Sequence, residues 1–181
     1  MPDQSNDSAN LKHVLDMVTV ANEYCIFTES AGKLELNEIG LYYHRVLPLL
    51  YLKGSLLPDT EPEDNTAAEK YVTEEQWEEV FNRFRLILGD KDEYFLPGQD
   101  DTGEDGLLKA SLSENIADIY QDMKDFILLY AKNTYHSRQN AVYLCRFLFK
   151  TRWGAIIPNV LNQLHAMIYN REEDNFETFT D

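Results

Sequence analysis

The stretch Ser111–Tyr130, SLSENIADIYQDMKDFILLY, decides the fold class. Its apolar residues Leu112, Ile116, Ile119, Tyr120, Met123, Phe126, Ile127 and Tyr130 return every three or four positions, the period of an amphipathic helix. Ser111, followed three residues later by Glu114, has the spacing of a capping box and marks the start. No glycine or proline interrupts the stretch.

The same period extends in both directions. Thr73 and Gln76 have capping-box spacing, Trp77, Val80, Phe81, Phe84, Ile87 and Leu88 form one stripe, and Gly89 stops it. A first helix is expected from Ser8 to Ser30 on Leu11, Val14, Leu15, Val18, Ala21, Tyr24 and Cys25, closed by Ala31-Gly32. The stretch Asn37–Gly54 is apolar nearly all round, with a kink expected at Pro48, and so is Ser137–Tyr169, where Gly154 and Pro158 should kink or split the helix. A helix without a polar face belongs in the middle of a bundle. Acidic connections cover about 57–72 and 89–110, and neither shows strand-like alternation. The expectation is an all-α bundle of five or six helices with two apolar central helices, in one domain over 8–169. A disordered N-terminus, 1–7, and an acidic tail, 170–181, flank it.

With 181 residues, 44% of them hydrophobic, the chain has enough apolar surface for one globular domain. Its formal net charge of −16 argues against gripping a nucleic-acid backbone or an anionic membrane. The opening residues MPDQSND lack a basic and an apolar signal region, and the longest apolar runs, Val46–Leu52 and Phe126–Ala131, are too short to span a bilayer. Cys25 and Cys145 sit in helical patterns without a CxxC; they are expected as buried free thiols, with a lone disulfide as the alternative. A cytoplasmic location follows as an expectation.

The charge is unevenly spread. Residues 126–170 hold no Asp or Glu but contain Lys132, Arg138, Arg146, Lys150 and Arg152, a net +5 within a remainder of −21. Arg146 falls on the apolar side beside Val142, Phe149 and Trp153, where a guanidinium must find a carboxylate or open onto a polar pocket. His44 and Arg45 pose the same problem on the second helix. Two readings follow. Either the cationic segment docks on acidic neighbours, with Glu38 or Asp118 as partners for buried pairs, or it forms an anion-binding surface from Tyr43, His44, Arg138, Arg146, Arg152 and Trp153.

Carboxylates recur at helical spacing in Glu74-Glu75-Gln76-Trp77-Glu78-Glu79 and in Glu114, Asp118, Asp122 and Asp125. The spacing resembles the ExxE and ExxD helix motifs of MazG-type nucleotide pyrophosphohydrolases, which would make Glu78, Asp118 and Asp122 candidate Mg²⁺ ligands. On a helical wheel both sets point away from their apolar stripes, as solvated faces or as faces offered to the cationic helix. Asp101–Gly106 has the glycine of a calcium loop at its sixth position, but Leu112 stands at the twelfth, where a bidentate carboxylate is needed. The four histidines are far apart in sequence, and no HExxH, GxSxG or phosphate-binding loop is present. No cofactor is expected.

Two segments carry a family resemblance: Ser111–Asp125, and the pair Trp153-Gly154 followed by Leu161-Asn162-Gln163-Leu164-His165. Together they resemble a family of small bacterial helical proteins described as a domain of unknown function (5063). That resemblance implies a bacterial all-α protein and no particular chemistry. The reading preferred on the residues is a non-enzymatic protein that meets a basic protein partner through its acidic surface. The alternative is a binder, or Mg²⁺-dependent hydrolase, of an anionic small molecule such as a nucleotide.

Overall fold

The computed structural model describes residues 4–62, 70–99, 105–132 and 134–169, with the backbone alone for residues 4–10 and Gln99. Its elements run α1 (Gln4–Ser30), α2 (Leu36–Ser55), α3 (Glu74–Leu88), β1 (Glu93–Gln99), β2 (Asp105–Ser111), α4 (Leu112–Ala131), α5 (Tyr135–Leu148) and α6 (Gly154–Tyr169). Short 3₁₀ turns follow α1 and α3, and one π turn, Phe149–Trp153, joins α5 to α6.

The all-α bundle expected from the periodicity is the observed architecture. Its centre is α4, which packs against α1, α3 and α5, while α2 lies on α1 and α6. The stripe read from the sequence is the buried one: Leu112, Ile116, Ile119, Tyr120, Met123 and Phe126 are all buried. The central place expected of α2 is only half taken up. Tyr43, Leu47 and Leu50 reach the core, whereas Leu49, Tyr51 and Leu52 stay exposed.

Caps hold the helix ends. The Ser111 hydroxyl accepts the Glu114 amide at 3.2 Å. Thr73 and Gln76 cap each other reciprocally, and Gly89 closes α3 at φ +52°, a left-handed conformation that glycine adopts without strain. The helix α1 begins at Gln4, inside the stretch expected to be disordered. Residues 1–3 and the expected tail, 170–181, lie outside the described residues.

The hairpin was not foreseen. Strands β1 and β2 pair antiparallel from Glu93 opposite Ser111 to Gln99 opposite Asp105, where the sequence suggested only an acidic loop. Tyr94 is buried and Leu96 partly so, but the outward face carries Phe95 and Pro97, and β2 exposes Leu107 and Leu108. Apolar side chains on both faces erase the alternation by which a strand is read. Asp92 anchors the hairpin base: its carboxylate accepts the Ser113 amide at 2.7 Å and the Ser111 and Ser113 hydroxyls at 3.0 and 2.8 Å. Residues 101–104 of the calcium-loop reading lie outside the described residues; Leu112, at its twelfth position, is fully buried.

At the other end, Gly54 of α2 lies against Trp153, whose indole fills the space a β-carbon would need there. That close approach seats Trp153 in the core, with its Nε1 donating to the Cys145 carbonyl at 3.2 Å. The π turn holds one more residue than an α-turn and so re-aims the chain. Trp153 enters the core, while its neighbour Arg152 reaches α4. Pro158 lies inside α6 without ending it.

Candidate functional site

Three aspartates project from α4, and each holds a different part of the molecule. Asp118 Oδ1 accepts the Trp77 indole N–H at 3.0 Å and so ties α3 down. Asp122 receives Arg152 in a two-pronged pair, Nε to Oδ2 at 2.8 Å and a terminal nitrogen to Oδ1 at 2.6 Å. Asp125 Oδ1 accepts the amides of Tyr71 and Val72 at 2.8 and 2.9 Å. One carboxylate row thus fixes α3, the π turn and the end of the acidic linker.

Asp122 is buried, 6% exposed, which corrects the solvated-face reading for that residue. It is the alternative, a face offered to the cationic segment, that describes it. Burial pushes the Asp122 carboxyl up to about 6, with Arg152 opposing the shift. Asp125 is also raised by burial, opposed by the amides of Val72 and Tyr71. Both thiols are buried and free; burial raises Cys25 to about 12 and lifts Cys145 well above the ordinary thiol range. Neither is poised as a nucleophile.

The cationic segment grips the other end of the acidic linker. Arg146 hydrogen-bonds the Leu57 carbonyl. Its Nε lies 3.2 Å from Asp59 Oδ1, and Lys150 reaches the same oxygen at 4.0 Å. The pairs expected with Glu38 or Asp118 form instead with other carboxylates: exposed Asp59 for Arg146 and buried Asp122 for Arg152. Nothing local marks Asp59 or Asp125 for these roles, because their partners are distant in sequence and two of them are backbone amides.

The six candidate anion-binding residues do not gather in one place. Tyr43 is in the core, its hydroxyl 2.9 Å from that of Thr28. Trp153 is equally buried. His44 is half-buried and meets His165 and Tyr169, with ring centroids 5.6 and 5.7 Å away. Arg138 stacks over the Tyr130 ring at 5.3 Å and lines a cavity of about 470 Å³ with Asp59, Thr60, Tyr135 and Gln139. Arg146 and Arg152 hold the contacts already given. Among the metal candidates, Glu78 is exposed on α3 while Asp122 is buried and paired, and no group of three or more His, Cys, Asp or Glu able to hold a metal occurs among the described residues. No helix among them is long and apolar enough to cross a membrane.

The fold and its clasp define a class: an α-helical bundle whose central helix holds its neighbours through carboxylates. The chain belongs to the family described as Domain of unknown function (DUF5063), whose profile matches residues 9–170. It is similar to protein BF1032 from Bacteroides fragilis, known as a crystal structure, at 35% identity and a TM-score of 0.77, over 87% of this chain and 93% of that one. No curated protein matches.

Proposed function

We propose that the protein is a non-enzymatic helical interaction module that binds a protein partner carrying a basic surface. One observation carries this reading: five cations are held in ion pairs while a row of four glutamates is left exposed on one helix face. Lys53, Arg83, Lys124, Arg146 and Arg152 all sit in ion pairs. Glu74, Glu75, Glu78 and Glu79 stay exposed on α3, and Leu86, 85% exposed, continues their face. Such a surface steers a basic partner and offers it one apolar contact. A bacterial cytoplasmic setting fits, supported by the two free thiols and the source of the similar structure.

The test is a pull-down at low salt with identification and charge analysis of what is retained. Basic proteins should be held, released by added salt, and retained less well when the four α3 glutamates become glutamine. Retention that ignores both salt and the four substitutions sinks the reading.

A second reading has its own support. The 470 Å³ cavity carries the Arg138 guanidinium, and the Thr60 hydroxyl in its wall is buried with no hydrogen-bond partner among the described residues. An anionic small molecule seated there would meet the positive charge of Arg138 and could accept a hydrogen bond from Thr60. A thermal-shift screen with nucleotides and carboxylates, compared with Arg138→Ala, tests it. A tight ligand raises the melting temperature of the parent alone.

A further inference from the structure

We propose that the groove along α4, from Asp118 to Leu129, docks a basic amphipathic helix of the protein partner, one with cations two turns apart and large apolar residues between them. The proposal rests on the interaction reading above and names where, and by what chemistry, that partner would be held.

Two cavities, of about 360 and 230 Å³, share Lys70 and Gln121 in their walls and therefore adjoin. The first is bounded by Glu74, Trp77 and Asp118. The second lies between α4 and α5, with an apolar wall of Phe126, Leu129, Leu144, Phe147 and Leu148. Phe147, at the rim, is 48% exposed. Together they make a trough with an acidic end and an apolar end, the form that receives an amphipathic helix.

The charge of the trough selects the sign of the occupant. Once Asp122 and Arg152 have paired, Glu74, Asp118 and Asp125 remain against Lys70. Asp118 and Asp125 each accept hydrogen bonds on Oδ1. The second oxygen of each accepts none from the described residues and is left for an incoming donor. Seven positions separate the two aspartates, ~10.5 Å along the helix axis. That span matches lysines or arginines seven residues apart on a partner helix, with apolar residues at the third and fourth positions between them facing the Phe126–Leu148 wall.

The experiment measures anisotropy of a labelled synthetic peptide of repeating Lys-Ala-Ala-Leu-Leu-Ala-Ala, which sets lysines seven residues apart with leucines at the third and fourth positions between them, and of its Glu-for-Lys counterpart, against the full chain at low salt. The Lys peptide should bind and the Glu peptide should not. The double variant Asp118→Asn, Asp125→Asn keeps both acceptor oxygens that hold the fold and should weaken binding about tenfold, ~1.4 kcal/mol. Phe147→Ser, at the exposed rim, should weaken it as well. The outer pair Glu78→Gln, Glu79→Gln should change it twofold or less. If the outer pair weakens binding as much as the aspartates do, the groove is overturned and the acidic-exterior reading survives. If the Glu peptide binds equally well, charge complementarity is gone and so is the groove. If the parent binds neither peptide, the groove and the interaction reading fall together.

Discussion

Helices α3 and α4 both carry rows of carboxylates at helical spacing, and the two rows have opposite fates. On α3, Glu74, Glu75, Glu78 and Glu79 lie in water. On α4, Asp118, Asp122 and Asp125 each hold a neighbouring element. Position explains the difference. Among the described residues α3 packs chiefly on α4 through its apolar stripe and turns its glutamates outward, whereas α4 is flanked by α1, α3 and α5. Aspartate also suits a clasp: its short side chain loses less rotamer freedom when fixed than glutamate does. The same charge therefore acts as architecture on one helix and as surface potential on the other.

The sharpest way to break this contrast is Arg152→Ala. It leaves Asp122 buried without its cation, and breaking such a pair costs ~3–5 kcal/mol. Because Arg152 keeps 34% of its side chain in water, the lower part of that range, about 3 kcal/mol, is expected in urea unfolding. A loss under 1 kcal/mol would return α4 to the status of α3.

Next comes Asp125→Ala, which strands two backbone amides and should cost about 1–2 kcal/mol. Hydrogen exchange should speed up at Tyr71 and Val72 while the α4 amides stay protected. Uniform acceleration would mean that Asp125 supports the whole fold rather than the linker.

The pH dependence of Asp122 is a subtler probe. Its folded carboxyl, at about 6, lies above its ordinary value of 3.8, so between those limits the folded chain binds more protons than the unfolded one. The Asp122 contribution therefore falls as pH rises from ~4 to ~6 and is flat above that. The stability of the parent minus that of Asp122→Asn should follow this curve, and an opposite slope would show that Arg152 outweighs burial.

The smallest effect belongs to α3. Glu78→Gln should leave the melting temperature unchanged, and Glu79→Gln should cost ~0.3–0.5 kcal/mol for its exposed pair with Arg83, 2.6 Å long. A larger loss would give α3 a structural role and blur the comparison.

Much of the fold was legible. The stripes of α3 and α4 and their caps at Thr73 and Ser111 read correctly because a helix advertises itself within four residues. The hairpin did not, because Phe95, Leu107 and Leu108 stand exposed where polar residues would have revealed a strand. The uneven charge of 126–170 was plain, and one of the two readings placed on it, docking against acidic neighbours, describes Arg146 and Arg152. The partners were not legible. Asp59 is 87 positions from Arg146 and Asp122 is 30 from Arg152, and no periodicity links residues so far apart.

Periodicity, caps and composition by themselves determined an acidic all-α chain with a cationic segment that needed partners, since those signals are local and additive along the chain. Which carboxylate each cation meets, which aspartates are buried, and which apolar faces remain open were decided only when the helices packed. Burial and pairing are properties of the space between elements, and in this protein that space is organised by α4.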